Sequence, residues 1–201
     1  TMVKKIIAAV VPTHELREQL SDAILDLVLQ LPPSKEGQVT HAHERAHALS
    51  RTASRQASLL AGSMALPPGI LGWLTIPIEL MGVWRLQAQM VSDIAAVYGK
   101  SATLSREQMV YCLFKHVSAQ LFRDVVVRVG ERYVVQRASM AFIQSAAQTL
   151  GVKITKTIIG KGATRLVPLI GAIGVSAYAY FDTTQVAKTA IELFSRDIVL
   201  E

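Results

Sequence analysis

Cysteine is nearly absent: Cys112 is the one thiol in 201 residues. An internal disulfide framework is therefore excluded, and a cytoplasmic setting is expected over a secreted one. Cys112 sits in "QMVYCLFKH" among apolar neighbours, where a packed, unreactive thiol is the expectation. Charge is also scarce, 18% of residues against a usual quarter. Aromatics make up 6%. Few aromatics and no nucleic-acid motif leave no support for a nucleic-acid partner. No G-x-S-x-G elbow is present. "GKGATR" at 160–165 has the outline of a phosphate loop, but Gly162 stands where Ser or Thr is required.

Apolar residues are abundant, at 51%, and the length suits a single domain with a substantial core. Acidic residues are locally missing. Between Lys115 and Arg165 nine basic residues face two acids, a net +7 in a chain whose total is +6. Such a region favours an anionic surface, and Lys153, Lys156, Lys161 and Arg165 are its candidate contacts. The N-terminal "TMVKKIIAAVV" has two lysines before a short apolar run that Pro12 ends. That run is too short for a signal peptide, so residues 1–12 are expected as an apolar appendage to a domain over 13–198.

Helical spacing dominates the rest. Thr13 caps a first helix with Leu16, Leu20, Ala23, Leu27 and Leu31 on one face, and Pro32-Pro33 ends it. Thr40 caps a second, with Ala42, Ala46, Leu49, Ala53, Ala57 and Leu60 inward. A third runs from Pro77 to Tyr98 and stops at Gly99. "SREQ" at 105–108 is a capping box. A long helix is expected over 124–150, with Val126, Val129, Tyr133, Met140 and Ala147 on one side. A last one is expected from Thr183 to Ser195, with Asp182 as its cap. No hairpin-bounded strand alternation stands out. The expected fold is all-α, a single multi-helix bundle.

Two apolar segments interrupt the pattern. Residues 59–84 carry a single charge, Glu79, and are broken by Pro67, Pro68, Gly69 and Gly72; residues 166–181 carry none. Both are expected as hairpin-like segments sheltered in the bundle rather than straight membrane spans. They supply the candidate ligand-binding residues Trp73, Ile76, Glu79, Met81, Trp84, Ile170, Tyr178 and Asp182. Each also has a plain alternative. Glu79 follows Pro77 in a first helical turn, where a carboxylate complements the helix dipole, and Trp73, Met81 and Trp84 suit a core.

"HERAH" at 43–47 is H-E-x-x-H, in which two histidines one turn apart hold zinc and the glutamate polarises water. His43 and His47 are the metal candidates and Glu44 the catalytic one. A third ligand has no marked position. The extended motif's places at 50 and 53 hold Ser and Ala, while His14, Glu79 and His116 are available without a diagnostic spacing. His43 and His47 share a helix flank with Ser50, Ser54 and Ser58, beside the apolar stripe. Metal binding by the trio His41, His43 and His47 is a simpler expectation than catalysis.

"PPGILGWLTIPIELMGVWRLQAQMVSDIAAVYG", "SREQMVYCLF" and "LGVKITKTIIGKGATRLVPLIGAIGVSAYAYFDTTQVAKTAIELF" together resemble the EcsC family. Pro77-x-Glu79 at a helix start, Ala-x-Tyr98-Gly99 at its end, and "VPLIGAIG" with its polar continuation carry the resemblance, which spans about residues 30–198. It implies a bacterial helical domain linked with membranes or membrane transport systems, without a defined activity. Asp182 stands where some members have an amide.

The expected function is accordingly non-enzymatic: a helical module for an apolar or lipid-like ligand, at the cytoplasmic surface of the inner membrane, with no cofactor. A zinc-dependent hydrolase built on HERAH is one alternative. A structural protein that forms homo-oligomers or joins a membrane protein is the other.

Overall fold

The computed structural model describes residues 13–64, 76–161 and 168–201, apart from the side chains of Ile76, Lys161 and residues 168–171. The sequence expectations at residues 1–12, Trp73 and Arg165, and those for the Ile76, Lys161 and Ile170 side chains, lie outside the described residues.

The described chain is a bundle of six α-helices with one small sheet. We number them α1 (Thr13–Leu29), α2 (Ala42–Met64), α3 (Ile76–Val97), α4 (Arg106–Phe114), α5 (Met140–Lys161) and α6 (Pro168–Phe194), with strands β1 (Val126–Val129), β2 (Arg132–Val135) and β3 (Asp197–Leu200). The all-α expectation holds.

Helix α1 buries Leu16, Leu20, Ile24 and Val28, an i, i+4 ridge set one residue off the anticipated Ala23 and Leu27 face. It lies on α5, and Gly151 permits the approach: a Cβ there would meet Ser21 and stand 3.0 Å from the Arg17 carbonyl oxygen. Helix α2 buries only small side chains, Ala46, Ser50, Ala53, Ser54, Ala57 and Ala61. Their size lets it sit close against α6 and α3. Ser54 hydrogen-bonds Thr184 at 3.2 Å and Ser58 hydrogen-bonds Ser176 at 3.0 Å, so α2 and α6 run antiparallel. The serine flank anticipated as a boundary face is thus largely an internal seam.

Helix α3 is the central element, touching α1, α2, α4 and α6. It stops where expected. Gly99 takes φ +73, and two bonds, Gly99 N–H to the Ala96 carbonyl and Lys100 N–H to the Ala95 carbonyl, form a Schellman closure. Helix α4 begins with the anticipated capping box between Ser105 and Gln108 and is buried from Glu107 to Phe114, Cys112 included. Burial pushes the Cys112 thiol up, which keeps it protonated and unreactive.

Three expectations are corrected. The helix proposed over 124–150 is instead a hairpin followed by α5. Val126 pairs with Val135 and Val129 with Arg132, and Gly130 takes φ +61 in the turn. The run of β-branched residues at 125–127 and 134–135 favours the pleated form over the helical stripe. Second, β3 joins parallel to β2, giving the order β1-β2-β3. Third, residues 168–194 are one helix of 27 residues. The second apolar segment is not hairpin-like where described, and Asp182 sits mid-helix rather than at a cap. Gly174 lies within this helix, and a Cβ there would meet nothing within 4 Å. The Gly/Pro-broken part of the first segment, 65–75, lies outside the described residues.

Candidate functional site

The bundle has two unlike ends. At one, α6 leads into β3, and Tyr133 of β2 donates to Glu192 of α6 at 2.8 Å. Glu192 also faces Lys115 at 4.0 Å and Arg128 at 3.8 Å. This end is polar and laced with ion pairs. At the other, the end of α2, the start of α3, the end of α5 and the start of α6 bracket residues 65–75 and 162–167.

At that second end, α2 and α6 leave an open groove of about 770 Å³ between them. Leu59 and Ser63 line one wall, and Ile173, Ala177, Tyr180 and Phe181 the other. Leu59, Ile173 and Phe181 are 74%, 62% and 67% exposed, and Ile78 at the start of α3 is exposed nearby in sequence to the same end. The floor is made of small residues: Gly62 faces Ser176, whose hydroxyl donates to the Ser58 carbonyl at 2.7 Å. Arg51 and Arg55 are exposed two turns and one turn before Leu59 on the same line of α2. Lys156 is exposed on α5.

Of the anticipated ligand-binding residues, the structure does not make one pocket. Trp84 is core, edge-to-face with Phe114 at a centroid distance of 5.5 Å. Met81 and Trp84 line a separate cleft of about 340 Å³ against α1. Glu79 is buried in the first turn of α3, where the helix dipole favours a carboxylate. Tyr178 is half-exposed on α6, and burial of its ring and then the Asp182 carboxylate one turn on push its phenol up. Asp182 belongs to a polar seam: it accepts from Gln87 at 2.7 Å and pairs with His116 at 2.5 Å.

Of the basic residues, Lys153 donates to Ser118 at 2.7 Å and so braces α5 against the turn after α4. The groove residues Leu59, Ile173, Tyr180 and Phe181 were missed. Their signal was present: 172–181 has no polar face at all, and a helix apolar all round must be covered by something.

At the opposite end of α2, His43 and His47 are exposed, with their Nε2 atoms 3.2 Å apart. His43 Nδ1 lies 3.3 Å from the Tyr98 hydroxyl. Glu44 is exposed and hydrogen-bonds neither ring. Among the described residues no group of three His, Cys, Asp or Glu side chains could hold a metal ion. His14 pairs instead with Glu18, and His116 with Asp182. The three-ligand constellation a hydrolase needs is not assembled by these residues.

Among the described residues no helix is long and apolar enough to cross a membrane. Comparison with family models, with curated proteins and with solved structures finds no match.

Proposed function

We propose that the chain is an EcsC-like helical module that docks on a membrane surface through the end of the bundle where α2 and α6 diverge. The observation that carries this reading is the open groove with Leu59, Ile173 and Phe181 projecting from it. Burying each such side chain stabilises a bound state by about 1.5–3 kcal/mol. Leaving three together in water is costly, so a covering phase is called for.

A lipid surface suits the rim better than a protein core would. Tyr180 places an amphipathic ring beside the apolar tips, as interfacial aromatics do. Arg51 and Arg55, on the line of α2 that leads to Leu59, supply cations, each contributing about 1 kcal/mol near an anionic leaflet. Both connections flanked by this end are apolar in sequence: "ALPPGILGWLT" has no charge, and "GATRLV" has only Arg165. The resemblance to the EcsC family, with its membrane association, agrees with this. The activity is binding, with no catalytic step.

Vesicle flotation tests the reading. The chain should float with phosphatidylcholine vesicles containing phosphatidylglycerol, and less with phosphatidylcholine alone. Leu59→Asp with Phe181→Asp should abolish flotation while leaving the melting temperature unchanged, since both side chains are exposed. Failure to float with either vesicle overturns the reading. If light scattering then shows a dimer that the double variant dissociates, the groove is an interface between copies.

A further inference from the structure

The geometry points to a second, separate site: His43 and His47 form a two-imidazole clamp for a divalent transition-metal ion, with Tyr98 as the positioning residue behind it.

The starting observation is a distance. The two Nε2 atoms are 3.2 Å apart, with ring planes at 76°. Two nitrogens bound at the usual length to one tetrahedral ion stand about 3.3 Å apart. The clamp is therefore spaced as an ion's ligands would be, and an ion replaces the hydrogen bond that now joins the two rings. The helix enforces this, because positions i and i+4 lie one above the other on one face.

Tyr98 is placed to hold the tautomer that an ion needs. Its hydroxyl lies 3.3 Å from His43 Nδ1. With Nδ1–H donating to that oxygen, Nε2 of His43 keeps its lone pair, which accepts from His47 in the free protein and turns to the ion when one binds; outer partners tune metal-bound histidines in this way. Tyr98 is itself held in place, one residue past the end of α3 and against the Gly99 closure.

The charge environment is mixed: Glu36 neutralises Arg45 through bonds of 2.6 and 3.1 Å, while Arg51, one turn beyond His47 on the same line of α2, is exposed and raises the cost of a bound cation. Both imidazoles are open to solvent, so water fills the remaining coordination positions. Imidazole ligands select Zn²⁺, Cu²⁺ or Ni²⁺ over Mg²⁺ and Ca²⁺. Among the described residues no third His, Cys, Asp or Glu side chain joins the pair, so the site is a two-imidazole one.

This site does not depend on membrane docking. From His47 to Leu59, where the groove begins, α2 rises about 18 Å.

The test is calorimetric titration of untagged, chelator-treated protein with Zn²⁺, Cu²⁺, Ni²⁺ and Mg²⁺, with Cu²⁺ spin resonance to count bound nitrogens. One ion per chain is expected, at micromolar affinity or tighter, with two imidazole nitrogens and no response to Mg²⁺. His43→Ala or His47→Ala should each abolish that binding, and Tyr98→Phe should weaken it by about tenfold. His41→Ala should change nothing. Binding that survives either clamp variant, or that His41→Ala weakens as much, overturns the site as a loose surface cluster. Unaltered affinity in Tyr98→Phe overturns the positioning role.

Discussion

Asp182 and His116 stand 2.5 Å apart, Oδ1 to Nε2, although 66 positions separate them in the chain. Their side chains are only 12% and 21% exposed. The other carboxylate oxygen of Asp182 accepts from Gln87, whose amide nitrogen also donates to Thr183 at 3.0 Å. One carboxylate therefore ties α6 to α3 and to the turn that follows α4.

Removing the carboxylate strands its donors. Asp182→Ala should lower unfolding stability by about 1–3 kcal/mol, since donors left without a partner keep their desolvation cost. Gln87→Met should cost less, because Gln87 already carries a buried carbonyl oxygen without a partner. Urea titration of both variants at neutral pH gives the comparison, and a larger loss in Gln87→Met would refute this account of the seam.

The α1–α5 contact has no room for a methyl group. Gly151→Ala would press its Cβ on Ser21 and on the Arg17 backbone. The backbone atom cannot swing aside, so a loss of about 1–3 kcal/mol is expected from overpacking. Gly160→Ala, on the same helix with nothing within 4 Å, is the control and should be neutral or slightly stabilising. Thermal melts of the two variants separate these outcomes.

Alkaline pH should loosen the sheet end. Burial pushes the Tyr133 phenol up from its ordinary value, and its bond to Glu192 and that carboxylate's charge push it further. The folded chain holds this proton where the unfolded chain would release it. The contribution is complete below about pH 10 and falls as pH rises beyond it. Tyr133→Phe should remove about 1 kcal/mol at neutral pH and flatten the decline above pH 10. Stability curves for both proteins from pH 8 upward decide it.

Acid pH acts at another place. Arg45 grips Glu36 with two hydrogen bonds and holds its carboxyl below the usual range. That stabilisation is present above the unfolded value of about 4.3 and is lost as pH falls through the lower folded value. Glu36→Gln should show a shallower acid decline than the natural chain. Equal slopes below pH 5 would mean that the pair contributes nothing.

Local signals in the sequence were legible wherever a single residue carries the geometry. Gly99 ends α3 because φ +73 suits a residue without a Cβ, and Ser105 with Gln108 opens α4 through a reciprocal cap. The hairpin at 126–135 was misread because Val126, Val129 and Tyr133 also satisfy helical spacing. The valine run and Gly130 between two β-branched stretches held the contrary signal. Asp182 looked like a cap because a carboxylate before two threonines is one locally; its role in a helix interior depends on Gln87 and His116, which no spacing reveals. The zinc-like spacing of His43 and His47 was plain, yet whether a third ligand stands beside them is a question of distance.

From composition and periodicity alone, then, this chain was bound to be a helical bundle with one inert thiol and more apolar surface than a single core consumes. Folding decided which apolar residues went without cover. Small side chains on α2 fill its contact with α6 while Leu59, Ile173 and Phe181 stay exposed along the groove between the two, and burial of that kind is a property of pairs of helices, which no single stretch of sequence carries.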